Sequence, residues 1–90
     1  MGKYNVEIEK LAKSHIEKHF KSGNKAIIKK IKTMLIELSE TPFEGEGKPE
    51  ELKYELSGYW SRRISLEHRL IYKVDKNTVT VLIISAMGHY

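Results

Sequence analysis

The chain contains no cysteine, so disulfide bonds and thiolate metal sites are excluded. It also has no apolar run of transmembrane length, and its first five residues do not begin a secretory signal. We therefore expect a cytoplasmic protein without a membrane segment. Ninety residues can build one hydrophobic core but not two, which predicts a single domain over residues 1–90.

Arginine is also scarce. The chain has only Arg62, Arg63 and Arg69, and its other strong cations are all lysines. A guanidinium presents a rigid fork of donors that fits two phosphate oxygens at once, which an ammonium group cannot do. From composition alone, a phosphate site and ordinary surface or carboxylate-paired arginines explain this cluster equally well.

The formal net charge of +4 is unevenly distributed. Residues 1–40 contain nine lysines and five glutamates, whereas residues 41–90 are balanced. A basic chain suits nucleic acid or an acidic protein partner, although a solvated lysine face also explains the first half.

Apolar periodicity predicts a strand over residues 3–9, a helix over residues 10–21 and a second helix that ends near residue 40. The break at Ser22-Gly23-Asn24 has good capping chemistry, so the two helices are expected to be antiparallel. The apolar stripes are Leu11, Ala12, Ile16 and Phe20 on the first helix, and Ile27, Ile31, Met34, Leu35 and Leu38 on the second.

The second half of the chain is typical of a sheet. After a loop anchored by Phe43, strands are expected at about 52–56, 59–64, 68–74 and 78–85, with the last one central. The order β-α-α-β-β-β-β predicts an α+β domain with two N-terminal helices packed on one face of a mainly antiparallel sheet.

The two middle strands form a predicted hairpin that turns near Leu66. If Arg63 pairs with Arg69, one face is a core with Arg62 as its only charged member, and the other face carries the remaining two arginines. A shift by one residue would mix charge into both faces, so the apolar pattern favours this register. Because like charges directly opposite each other destabilise a hairpin, the arrangement indicates an anion site. The two faces are Trp60, Arg62, Ile64, Leu70, Tyr72 and Val74, and Tyr59, Ser61, Arg63, Arg69, Ile71 and Lys73.

His15 and His19 have a helical spacing that can hold zinc. No carboxylate or third histidine accompanies them in a recognisable pattern, so we interpret both as surface histidines. The chain also has no acidic cluster for two magnesium ions, which disfavours metal-assisted phosphodiester chemistry. We therefore predict no metal site and no cofactor.

A further group of residues has the chemistry for cutting RNA without a metal. A carboxylate can take the proton of a ribose 2′-OH, guanidinium groups can stabilise the charged transition state, and an imidazole can protonate the leaving 5′-oxygen. From the residues alone, a capping or loop carboxylate and an exposed histidine remain open as alternatives. The group is Glu50 and Lys53 at the second strand, Arg63 and Arg69 on the hairpin, and His89 and Tyr90 at the end of the chain.

Four stretches carry a specific resemblance. They are Thr41-Pro42-Phe43-Glu44-Gly45-x-Gly47-Lys48-Pro49-Glu50-x-Leu52-Lys53, Leu56-x-Gly58-Tyr59-Trp60-Ser61-Arg62-Arg63-Ile64, Glu67-His68-Arg69-Leu70-Ile71-Tyr72 and His89-Tyr90. With these residues the chain resembles the YoeB/Txe branch of the RelE/ParE toxin superfamily. Over the helices only lengths and pattern agree, and the segment before His89 is slightly longer than in that branch.

The resemblance implies a RelE/ParE-like fold and an mRNA interferase, a toxin that cuts messenger RNA in the ribosomal A site. Six positions match the site residues of that branch. They are Glu50 as general base, His89 as general acid, Arg69 as the group that stabilises the cleaved phosphate, Arg63 and Lys53 as supporting phosphate contacts, and Tyr90 as a substrate-positioning tyrosine.

The implied partners are the ribosome, messenger RNA and a cognate antitoxin of YefM/Axe type, with operator DNA contacted only through the antitoxin complex. A homodimer is compatible with the same resemblance. Two alternatives use the same scaffold: a ParE-like module that inhibits a DNA topoisomerase by contact, and an inactive relative that serves as the antitoxin's partner in repression. Because one fold can host all three functions, the site residues must decide among them.

Overall fold

The computed structural model describes residues 3–53 and 58–87 and contains two helices and five strands there. Their order, β-α-α-β-β-β-β, confirms the predicted α+β architecture. The elements are β1 (Asn5–Ile8), α1 (Lys10–Ser22), α2 (Lys25–Glu40), β2 (Glu50–Glu51), β3 (Tyr59–Arg63), β4 (Arg69–Asp75) and β5 (Thr80–Ser85).

The five strands form one mixed sheet in the order β1-β5-β4-β3-β2. Strand β1 runs parallel to β5, and the other three pairings are antiparallel. Strand β5 therefore lies inside the sheet, as its apolar residues on both faces predict. The pairing of β4 with β5 shifts register between Ile71 and Tyr72, which leaves Ile84 as an extra residue shortly before the chain leaves the sheet.

Both helices pack on one face of this sheet and enclose the core. Three residues of the predicted α2 stripe are fully buried, and Ile27 and Leu35 pack against them. The buried residues of the core cluster are Ala12, Ile31, Met34, Leu38, Ile64, Leu70, Tyr72, Val81, Ile83 and Ala86.

The turn between the helices has the predicted capping chemistry. The Asn24 side chain accepts a hydrogen bond from the Ile27 N–H at 3.2 Å, which begins α2. Gly23 ends α1 in the left-handed region at φ 75°, where a residue without a Cβ is favoured.

Two expectations need correction. The predicted α1 stripe was wrong at its edge, because Leu11 and Phe20 are exposed and His19 is buried in their place. Leu11 and Phe20 lie at opposite edges of the predicted stripe, so the buried face of α1 is narrower than predicted. His19 completes this face and donates to the Ala86 carbonyl just after β5. The second strand was also misplaced: β2 pairs at Glu50–Glu51 rather than beginning at residue 52, and residues 54–57 lie outside the described part.

Neither helix combines the length and the apolar character that crossing a bilayer requires, a statement that covers residues 3–53 and 58–87.

Candidate active site

The β3–β4 hairpin sets two arginines directly opposite each other. Arg63 pairs with Arg69, and Tyr59 pairs with Lys73, which confirms the predicted register. Directly paired residues project to the same face of a sheet. Both arginines therefore lie on the face away from the helices, while Arg62 and Tyr72 are buried on the helix side.

Strand β2 adds a carboxylate to the same face. Glu50 pairs with Ser61 of β3, and Ser61 pairs in turn with Ile71 of β4. Ile71 then pairs with Ser85 of β5, so one row of the sheet runs from Glu50 to the end of the last strand. Arg69 lies two strands and two residues from Glu50, a Cα separation of about 12 Å at ordinary sheet spacing. Side chains as long as glutamate and arginine can meet on one phosphodiester across that distance.

Arg69 already reaches along this row. Its guanidinium donates to the Ser61 hydroxyl at 3.4 Å, and Ser61 is the direct partner of Glu50. Arg63 is exposed, and within the described residues no carboxylate forms a salt bridge with either arginine. The face is not uniformly open, because Ser61 and Ile71 on it are buried. Arg63 and Arg69 thus form a pair of cations on the same face as the exposed Glu50, without a salt bridge to any described carboxylate.

The remaining predicted site residues are placed only in part. Lys53 is exposed and follows Leu52, whose buried side chain and N–H bond to the Tyr59 carbonyl at 2.8 Å fix the chain next to β3. His89 and Tyr90 lie outside the described residues.

Arg62 has a structural role, which agrees with its predicted place on the core face and with the alternative of a carboxylate-paired arginine. It is fully buried, and its NH1 group forms a salt bridge with Glu37 of α2 at 2.8 Å. Its NH2 group donates to the carbonyls of Thr41 and Glu44 at 3.0 and 2.8 Å, and its Nε donates to the Tyr72 hydroxyl at 3.3 Å. Arg62 therefore organises the loop between α2 and β2 from inside the protein.

The same loop is held against β3 at Arg63. The Gly47 carbonyl accepts a hydrogen bond from the Arg63 N–H at 2.7 Å, which extends the contact that β2 makes at Glu50. Gly47 has φ 87°, and a Cβ there would lie 2.8 Å from the Arg63 carbonyl oxygen. Only glycine allows this close approach. The predicted loop anchor is also observed, since the Phe43 ring packs 5.1 Å from that of Trp60.

Tyr72 also holds the loop between α2 and β2 from the buried side of the sheet. Its hydroxyl donates to the Pro42 carbonyl at 2.7 Å. Burial raises the pKa of this phenol, and the hydrogen bond and charge of Arg62 partly oppose that change. Tyr72 thus remains a neutral donor to the loop that leads to Glu50.

A protein-family model described as the YoeB-like toxin of bacterial type II toxin–antitoxin systems matches residues 13–90. The chain belongs to this family. It is 47% identical to Toxin YoeB of Escherichia coli (strain K12) over 72 residues, which are 80% of this chain and 83% of that protein. The predicted resemblance to YoeB toxins is therefore confirmed.

Solved structures of YoeB toxins share the fold over almost the whole chain. A YoeB dimer from Staphylococcus aureus is 39% identical with a TM-score of 0.79, covering 98% of this chain and 99% of that one. A YoeB–YefM complex from Staphylococcus aureus is 42% identical with a TM-score of 0.76, covering 97% and 98%.

In this YoeB-like chain the interpretation of both α1 histidines as surface residues was wrong for His19, which is buried, whereas His15 is only partly covered. His19 is only 3% exposed, and His15 is half-buried. His15 Nδ1 accepts from the Ala86 N–H at 3.1 Å, and His19 Nε2 donates to the Ala86 carbonyl at 2.8 Å. The spacing of Ala12, Ile16 and His19 on one helix face was the available signal, but it does not reveal a partner 67 residues away. Among the residues that the structure describes, no group of three or more histidine, aspartate or glutamate side chains is arranged to hold a metal ion.

Proposed function

We propose that this YoeB-like toxin is a ribosome-dependent endoribonuclease that cuts messenger RNA in the A site and so inhibits translation. The observation that carries the proposal is the strand register, which sets Glu50, Arg63 and Arg69 on one face with the two arginines directly opposed. A cation pair that has no salt bridge to any carboxylate of residues 3–53 and 58–87 costs stability and gains a partner when a phosphodiester binds.

The proposed reaction is an in-line transfer at phosphorus. Glu50 takes the proton of the ribose 2′-OH, and the 2′-oxygen forms a bond to the adjacent phosphorus. Arg69 stabilises the negative charge that develops on the phosphoryl oxygens, with Arg63 and Lys53 as supporting cations. The bond to the 5′-oxygen breaks, His89 supplies its proton, and Tyr90 positions the substrate. The products are a 2′,3′-cyclic phosphate and a 5′-hydroxyl end.

The partners follow from the same face. A cognate antitoxin of YefM type, as in the complex from Staphylococcus aureus, would neutralise the arginines with an acidic or amphipathic segment. Operator DNA would be bound only through that complex, and a homodimer has a parallel in the YoeB dimer from the same organism. The toxin would act in the cytoplasm, where ribosomes and messenger RNA are found.

The test is primer extension on a defined message in a translating extract. Wild type should produce new 5′ ends that require ribosomes, and Glu50→Ala, Arg69→Ala and His89→Ala should each reduce them by about 100-fold or more. The new ends should be labelled by a polynucleotide kinase without prior phosphatase treatment, because they carry a 5′-hydroxyl.

Two matched variants control this experiment. Glu51→Ala removes the neighbouring carboxylate of β2, and Lys29→Ala removes one positive charge from the exposed surface of α2; both should cut like wild type. Unchanged cutting by all three site variants would refute the assigned site. Antitoxin binding without any cutting by wild type would instead favour the inactive-partner alternative, and inhibition of a DNA topoisomerase would favour the ParE-like one.

A further inference from the structure

The backbone just after β5 is held by two side chains of α1. Strand β5 stops at Ser85, and the next residue, Ala86, is fully buried but no longer part of the sheet. A buried backbone N–H and carbonyl that leave a ladder must find other partners, since an unpaired group is costly. Here both partners come from α1: His15 accepts from the Ala86 N–H, and His19 donates to the Ala86 carbonyl.

The geometry specifies which proton each ring carries. His15 can accept at Nδ1 only when that nitrogen is unprotonated, whereas His19 must carry a proton on Nε2. Residues four apart on a helix lie one above the other, so the His15 and His19 rings can bind the N–H and the carbonyl of the same residue, Ala86. We call this arrangement, His15 and His19 on Ala86, the histidine clamp.

The clamp also contacts the residue directly before the strand that begins with Arg69. The His19 ring packs against the His68 ring at a centroid distance of 4.9 Å and an interplanar angle of 80°. His68 directly precedes Arg69, and its carbonyl accepts from the Ile64 and Ser65 N–H groups in the hairpin turn. One α1 side chain therefore bridges the start of the C-terminal tail and the start of β4.

We propose that His15 and His19 are positioning residues that set where the tail carrying His89 and Tyr90 begins relative to Arg69. The proposal rests on the function proposed above. Three residues of chain cannot span more than about 10 Å, so fixing Ala86 restricts the region that the His89 imidazole can reach. A displacement of about 1 Å at a catalytic group can cost about 100-fold in rate.

The test compares substitutions that keep the clamp's hydrogen bonds with substitutions that remove them. In His15→Asn the amide oxygen can replace Nδ1 as acceptor, and in His19→Gln the amide nitrogen can replace Nε2 as donor. His15→Leu and His19→Met fill similar volumes without these groups. At saturating ribosomes, the two apolar variants should cut about 10- to 100-fold more slowly, while the two amide variants stay within about threefold of wild type. The ribosome concentration that gives half of the maximal cutting rate should be the same in all four variants as in wild type.

A second measurement does not depend on cutting. Hydrogen exchange of the Ala86 amide should be slow in wild type and in His15→Asn, and fast in His15→Leu, while the buried Ile83 amide stays protected in all three.

If Ala86 exchange and the NMR signals of His89 and Tyr90 are the same in wild type and His15→Leu, the clamp is overturned even though wild type cuts RNA. If those signals change as expected but wild type cuts nothing, the clamp stands and the proposed nuclease function fails. Equal cutting rates for the apolar and amide variants would also reject a positioning role.

Discussion

Arg62 and Arg63 are neighbours in sequence with opposite roles. The Arg62 guanidinium is enclosed by a carboxylate, a phenol and loop carbonyls, whereas Arg63 extends from the exposed face of the hairpin. Strand alternation alone separates them, because successive side chains point to opposite faces of a sheet. The buried member supports the loop that leads to Glu50, and the exposed member is the one for which we propose a phosphate contact.

This contrast gives a prediction for residue 62. Arg62→Lys should lower the free energy of unfolding by about 2–4 kcal/mol, because the Thr41 and Glu44 carbonyls and the Glu37 carboxylate lose a donor that is itself buried, at about 1–3 kcal/mol each. A lysine ammonium also cannot reproduce the planar fork that contacts Glu37 and the loop together. Urea denaturation measures the loss. Arg63→Lys is the matched control and should stay within about 0.5 kcal/mol of wild type; equal losses in the two variants would contradict the assigned roles.

At the level of elements, the β3–β4 hairpin combines the proposed phosphate site with a local energetic cost. Two cations occupy directly paired positions, and no described carboxylate relieves them through a salt bridge. Natural proteins tolerate such conflicts where binding requires them, at some cost in stability.

Replacement of one cation of this pair should therefore stabilise the fold. Arg63→Thr should raise the free energy of unfolding by about 0.2–1 kcal/mol, since it removes a like-charge pair and introduces a good strand residue. The same variant should cut RNA at least about tenfold more slowly, because a charge-assisted hydrogen bond is worth about 1.5–3 kcal/mol. Thermal unfolding and primer extension on the same sample measure the two effects. Arg69→Lys keeps both charges and should show no gain in stability, whereas a less stable Arg63→Thr would refute the cation-pair argument.

At the scale of the whole molecule, α1 joins the two ends of the chain. The helix forms from residues near the N-terminus, yet its polar contacts are made with Ala86 and its ring contact with His68. Burial lowers the pKa of the His15 imidazole below its ordinary value of 6.5, with added repulsion from Lys18, His19 and His68. His15 is therefore a titratable group that contributes to the stability of the fold and also holds the Ala86 backbone.

The pH dependence of stability follows from the direction of that pKa. Because the folded protein holds His15 neutral more strongly than the unfolded chain does, its contribution is fully present above pH 6.5 and declines as the pH falls below 6.5. Urea denaturation between pH 7.5 and pH 5 should show this loss. In His15→Asn the loss should be smaller over the same range, since the amide does not titrate. Identical profiles for the two proteins would show that His15 does not contribute.

The sequence alone was sufficient for the element order, the helix–helix turn, the interior position of β5 and the opposition of Arg63 and Arg69. These features depend on local periodicity and turn chemistry, which neighbouring residues specify. The family could likewise be recognised from residues 41–74 and the terminal pair. Glu50, Lys53, His89 and Tyr90 were assigned by that resemblance, and their catalytic roles remain predictions.

The roles of Arg62, His15 and His19 depend on long-range packing. Each is a polar group whose burial depends on a partner far away in the chain: Glu37 lies 25 residues from Arg62, and Ala86 lies 67 residues from His19. A periodic pattern can indicate that a side chain faces the core, but it does not identify the donor or acceptor with which that side chain will form a hydrogen bond. The need to satisfy every buried polar group selects that partner, and it acts only once the helices and the sheet have come together.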